Sequence, residues 1–230
     1  DPKNNLNILY NMSKLISKSE KIKIIEVEDK WILSKLNSLI NKVTSELDNL
    51  HPHLASRGIQ DFWLNDLSRG YIQIVRDRLS NDDEAVKYVL SEVYLNLLRL
   101  CAPFIPFITE RIWLELKAKE IVKDESIHLE DWPKVDKKKI NEKLESLFSG
   151  AFEVIEKGMA ERDLVKIGLK WPLAKAVVTL TVVLDPANYL REIIKKQLNI
   201  KELEIKLGSE FKIEFDTMMT MELEAEGFSR

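Results

Sequence analysis

A chain of 230 residues with 45% hydrophobic content carries enough apolar material for one large core or two modest ones. Its 32% charged residues exceed the quarter usual in a globular domain, which points to long solvent-exposed helices. A formal net charge of -3 excludes a protein that coats nucleic acid by bulk attraction, so any such contact has to be local.

Residues 3–18 place Leu9, Met12 and Ile16 at helical spacing, with Ile8 and Leu15 widening the apolar face, and this predicts a short first helix. After a basic linker, Asp29 is placed to cap a second helix in which Ile32, Leu36, Leu39, Ile40, Val43, Leu47 and Leu50 recur at steps of three and four. Pro52 suits the opening turn of a third helix that ends near Ser80 and Asn81. Within it, about 100° per residue gathers Trp63, Leu67, Tyr71, Ile74 and Val75 on one side and Asn65, Arg69, Gln73 and Arg76 on the other. The apolar side belongs to a core. The polar side is open between solvated surface, the usual fate of such faces, and an edge that reads nucleic acid.

A fourth helix follows from Asp82, with Val86, Val89, Leu90, Val93, Tyr94, Leu97 and Leu98 inward, until Pro103 and Pro106 stop it and start a fifth over 107–122. Five helices with short connections and apolar stripes imply an antiparallel bundle. The stretch DESIHLEDWPKVD, 124–136, loses helical period, and Trp132-Pro133 favours an extended segment crossing the bundle surface. A sixth helix, from about residue 137 to 163, is expected to bridge two domains.

Beyond it the pattern changes. AVVTLTVV (176–183) is β-branched, LDPANYLREIIKKQLN (184–199) is a Pro-started helix, and IKELEIKL (200–207) and FKIEFDTMM (211–219) alternate with period two. The fold class is therefore mainly α: an antiparallel bundle over 1–136, then a bridging helix and small α/β domain over 137–230. MELEAE (221–226) resembles the acidic opening of another helix. That ending, with no initiator Met at the start, is what a piece of a larger protein would show.

Chemistry-bearing patterns are few. Seven glycines leave little material for a phosphate cradle, and His51, His53 and His128 have no cysteine partners at ligand spacing. Asn11-Met12-Ser13-Lys14 echoes the nucleotide-handling loop of class I synthetases but lacks its flanking residues and sits in a helix. Glu130 and Asp131 are adjacent rather than facing, and Cys101 lies in an apolar run as a small core residue. No catalytic or metal-binding residue is expected. Trp31, Trp63, Trp113 and Trp132 read as core anchors. The single cysteine precludes an intrachain disulfide, which suits a reducing cytoplasm. No apolar run approaches the roughly 18 residues that span a bilayer.

Basic and aromatic residues do interleave at two places: Arg69, Tyr71, Arg76 and Arg78 on the third helix, and Lys166, Lys170, Trp171 and Lys175 where the sixth helix hands over to the first strand. Unpaired RNA bases are read by stacking and by hydrogen bonds to their edges, while Lys and Arg hold phosphates.

Six stretches, DKWILSKLNSLI (29–40), DLSRGYIQIVRDR (66–78), APFIPFITERIW (102–113), SIHLEDWP (126–133), GLKWPL (168–173) and MELEAEGFSR (221–230), together resemble the C-terminal part of class I aminoacyl-tRNA synthetases. The likeness is greatest to the isoleucine-specific type of archaea and eukaryotes. It implies a helical anticodon-binding domain followed by a junction domain, with the anticodon stem-loop of isoleucine tRNA and the catalytic domain of the same chain as partners. ATP with magnesium would belong to the parent protein, where zinc is left open, and not to this fragment. The positions implied for tRNA contact are Asn7, Tyr10, Asn11 and Lys14 on the first helix, Arg69, Gln73, Arg76 and Arg78 on the third, and Lys166, Lys170 and Trp171 at the junction. The same region of a valine or leucine enzyme, or a helical protein-interaction module, is the alternative. One departure is Gly70, where the family carries an aromatic: glycine inside a helix costs about 1 kcal/mol relative to alanine, so close packing or a bend is expected there.

Overall fold

The computed structural model describes residues 2–18, 22, 25–181, 188–218 and 220–229. The chain divides into two compact units, Asp1–Glu142 and Lys143–Arg230.

The first unit is helical. Its helices are α1 (Pro2–Met12, extended by a 3-10 turn, Ser13–Leu15), α2 (Val27–Asp48) and α3 (Pro52–Asp61), which runs into a π-helical segment, Phe62–Tyr71. The short pieces α4 (Ile72–Ile74) and α5 (Arg76–Ser80) continue it, followed by α6 (Glu84–Cys101) and α7 (Pro106–Ala118). Helix α2 is the centre: Trp31, Ile32, Leu36, Leu39, Ile40 and Val43 are buried, and it packs on α3, the π segment and α6. Its start corrects the expected cap. Glu26, not Asp29, is the N-cap, and Asp29 occupies the third helical position of a capping box, accepting from the Glu26 N–H at 2.9 Å. Helix α1 docks on α6 through Tyr94, whose hydroxyl donates to the Leu9 carbonyl at 2.7 Å, and the chain just past its 3-10 turn is held by Ser91, which donates to Ser17 O.

The irregular stretch after α7 crosses α2, as its composition suggested, and α2 is built to receive it. Trp132 Nε1 donates to Thr44 Oγ1 at 2.9 Å, the Asp136 N–H donates to Asn37 Oδ1 at 2.8 Å, and the Asn141 N–H donates to Ser34 Oγ at 2.8 Å. The buried Ser34 and Asn37 thus satisfy backbone donors that leave water.

The second unit comprises α8 (Glu142–Leu164), β1 (Leu173–Leu180), α9 (Asn188–Leu198), β2 (Ile200–Leu207), β3 (Lys212–Phe215) and α10 (Met221–Ser229). The sheet order is β2-β1-β3, with β1 parallel to β2 and antiparallel to β3. Two parallel neighbours need a crossover, and α9 supplies it. The first strand begins three residues before the predicted one; residues 182–183 of that prediction, 184–187 of the predicted helix and Met219 lie outside the described residues. Helix α8 packs on α9, Phe148 against Tyr189 with ring centroids 6.4 Å apart. A Cβ on Gly158 would meet Leu198 at 2.7 Å, so only glycine allows that approach.

Candidate nucleic-acid interface

The buried residues Ile59, Trp63, Leu67, Tyr71 and Val75 recur at steps of four, longer than the 3.6-residue turn of an α-helix. Hydrogen bonding five residues back turns the chain less per residue and keeps such a stripe against the core; the Ile72 N–H donates in this way to Leu67 O. Gly70 lies inside this wider winding and is buried. An outer row runs through the segment and past both its ends: Arg57 and Asp61 on α3, Asn65 and Arg69 on the π segment and Gln73 on α4, again at steps of four, are all exposed.

Along this row the side chains are linked. Asn65 Nδ2 donates to Asp61 Oδ1 at 2.6 Å and Arg69 Nη1 donates to Asn65 Oδ1 at 3.2 Å. Inward of the row, Lys35 on α2 pairs with Asp66 at 3.2 Å and fixes the segment to its neighbour. The π winding ends at Tyr71; α4 continues it as far as Val75, where φ is -89° and ψ is 7°, and Arg76 stands exposed just beyond. Sequence periodicity at 100° per residue found Asn65, Arg69, Gln73 and Arg76 but missed Arg57 and Asp61, which continue the same four-step row toward α3.

Arg78 is placed differently. Its Nη1 donates to Glu28 Oε1 at 2.8 Å and Asp29 Oδ1 at 3.2 Å, its Nη2 to Asp29 Oδ2 at 3.0 Å, and its Nε to Asp83 Oδ2 at 2.8 Å. Burial alone would lower its pKa, but hydrogen bonds to Asp29 and Asp83 and the charges of Asp29 and Glu28 outweigh burial and raise it. Asp29, fully buried, also accepts from the Tyr71 hydroxyl at 2.7 Å. Burial, then the Asp29 charge, pushes the Tyr71 phenol well above its ordinary range, so it stays a donor.

On α1, Asn7, Asn11 and Lys14 are exposed, with Lys14 Nζ donating to Asn11 Oδ1 at 3.0 Å and lying 5.5 Å from the Tyr10 ring centroid. The Tyr10 hydroxyl donates to Glu115 Oε2 on α7 at 3.0 Å, and that hydrogen bond raises its pKa. Helix α1 packs against the π segment beside a 240 Å³ cavity lined by Asn5, Leu6, Ser56, Ile59, Gln60 and Trp63, so the two expected groups of residues belong to neighbouring elements.

In the second unit, Lys166 and Lys170 are exposed around the turn between α8 and β1. Arg162, 1% exposed, fastens that turn by donating from Nη2 to the Gly168 and Trp171 carbonyls and from Nη1 to Leu198 O, the carbonyl end of α9. Trp171 is not an open platform. Phe228 meets it edge-on with centroids 5.1 Å apart, and Gly227 lies so close that a Cβ there would be 2.2 Å from Trp171 Cε3. Among the described residues no three His, Cys, Asp or Glu side chains gather as metal ligands, and no helix is long and apolar enough to cross a membrane. Cys101 is buried, which raises its thiol pKa.

A family model for the anticodon-binding domain of tRNA ligase matches residues 29–178, from the first turn of α2 through α8 into β1. The chain belongs to that family. Among proteins similar to this anticodon-binding domain, the isoleucine–tRNA ligase of Pyrococcus abyssi is 37% identical over 206 residues, 80% of this chain and 19% of that protein. Its counterpart in Pyrococcus horikoshii is 35% identical over 243 residues, 90% and 22% of the two chains. That of Methanopyrus kandleri is 36% identical over 195 residues, 81% and 17%. The chain spans about a fifth of the length of these curated relatives.

Proposed function

We propose that this chain recognises the anticodon stem-loop of isoleucine tRNA as the C-terminal region of an isoleucine–tRNA ligase. The longer protein would attach isoleucine with ATP and magnesium in a catalytic domain of its own, in the cytoplasm where its tRNA is used. The observation that carries the reading is the exposed polar row on the π-wound segment, next to the polar face of α1, in a domain of the anticodon-binding family. The relatives' names favour isoleucine over valine or leucine.

On this reading Arg69, Gln73 and Arg76, with Asn7, Asn11 and Lys14, face the loop, and Lys166 and Lys170 add backbone contacts. Tyr10 and Trp171 present ring surface already in contact with Lys14 and Phe228. Arg78, expected from the family likeness to touch RNA, acts from behind: with its guanidinium held by three carboxylates, it sets where the helix bearing Arg76 ends.

The test is titration of the chain with isoleucine tRNA and with the same tRNA carrying a changed anticodon. Wild type should prefer the first, and Arg69→Glu with Arg76→Glu should abolish binding while circular dichroism stays unchanged. Equal binding of the two tRNAs, or a double variant that binds like wild type, would overturn the reading and favour a helical protein-interaction module.

A further inference from the structure

A row meant only to hold phosphates has no use for a carboxylate, yet Asp61 sits in this one, exposed and four residues from Asn65. Arg57, one step before it, makes no ion pair among the described residues, so the carboxylate is not there to balance that charge. What Asp61 does is accept from Asn65 Nδ2 at 2.6 Å, while the Asn65 carbonyl oxygen accepts from Arg69 at 3.2 Å. A carboxylate can only accept and a guanidinium can only donate. An amide caught between them has a single orientation.

Asn65, an exposed residue, is then left with one N–H and one carbonyl lone pair on the same amide, and Arg69 keeps four of its five N–H donors. Such an amide pairs with the adjacent donor and acceptor on an adenine edge, and a guanidinium fork pairs with the two acceptors on a guanine edge. Resting on the anticodon reading above, we propose that Asn65 and Arg69 read a purine edge in the tRNA loop and that Asp61 is the positioning residue that holds them in the reading geometry.

The proposal predicts opposite responses from charge and from geometry. Asp61→Ala and Asp61→Asn each remove a negative charge from a surface that approaches phosphates, so neither should weaken non-specific binding. Only the asparagine can still accept from Asn65. Binding would be followed by fluorescence anisotropy of the chain with an isoleucine anticodon stem-loop and with stem-loops whose anticodon purines are replaced, singly, by pyrimidines. The expected result is that Asp61→Ala lowers the preference for the native loop at least about fivefold, the low end of what one base-edge pairing is worth. Asp61→Asn should keep that preference, and Arg69→Lys should lose it with an unchanged salt dependence. Equal preferences in Asp61→Ala and wild type, or equal losses in Asp61→Ala and Asp61→Asn, would overturn the positioning role. A wild-type chain with no preference would instead overturn the anticodon reading beneath it.

Discussion

The guanidinium of Arg78 and the carboxylate of Asp83 meet at 2.8 Å where α5 gives way to α6. Asp83 has a second task, since its Oδ1 caps α6 by accepting from the Ala85 and Val86 N–H groups at 2.8 and 3.4 Å. Partial burial would raise its pKa, but the Arg78 hydrogen bond and the two backbone donors outweigh that and hold it below the ordinary carboxyl value. A depressed carboxyl contributes stability that is fully present above the unfolded value of about 3.9 and is lost as pH falls through the lower folded value. Asp83→Asn should preserve the cap, because asparagine is an equally good N-cap, while removing the charge that Arg78 faces. Urea midpoints compared at pH 6 and pH 3 test this. The variant is expected to be less stable than wild type at pH 6 and to lose less of its stability on acidification.

At the scale of elements, Asp29 joins three: the capping box of α2, the Tyr71 hydroxyl at the end of the π segment, and Arg78 on α5. Removing one side of a buried ion pair leaves the other uncompensated, at a cost of about 3 kcal/mol or more. Tyr71→Phe deletes one hydrogen bond to a carboxylate that keeps its other donors, at about 1.5–3 kcal/mol. Asp29→Ala should therefore lower the unfolding free energy by more than Tyr71→Phe does, and denaturant unfolding of both variants checks the order. None of this cluster was legible in the sequence. Asp29 there looked like the cap itself, because an acidic residue before an apolar run is the usual sign of one, and the partner of Arg78 lies some fifty residues back in the chain. The α-helices of the bundle were legible because their apolar residues recur at steps of three and four around a 3.6-residue turn. The π winding was not, since steps of four suit both windings over two turns, and hydrogen bonding five residues back, as from Ile72 to Leu67, is what separates them. Trp171 is a third case: its partner Phe228 follows from how α10 folds back within the second unit, which no local spacing announces.

For the molecule as a whole, the net charge of -3 sets what kind of binding its surface can support. The acidic excess opposes long-range attraction to RNA, while many of the lysines and arginines are engaged in ion pairs such as Lys35 with Asp66, Lys139 with Glu92 and Lys175 with Glu204. On the row itself and just past its end, the basic groups with exposed side chains and no carboxylate partner among the described residues are Arg57, Arg69 and Arg76. Each cation that neutralises a phosphate contributes about 0.7–0.9 to the slope of log K against log salt, the lower figure applying to single strands. With Arg57 and Arg76 on the loop backbone and Arg69 on a base edge, the slope should be shallow, roughly -1.5 to -2. Arg76→Gln should reduce it by about one such increment without changing the preference for the native anticodon. Titrations between about 50 and 200 mM salt, the range over which this dependence is read, measure the slope directly. A slope several times steeper would mean that the chain grips the stem along a broad basic surface, contrary to a charge distribution in which recognition depends on a short row of side chains held in register.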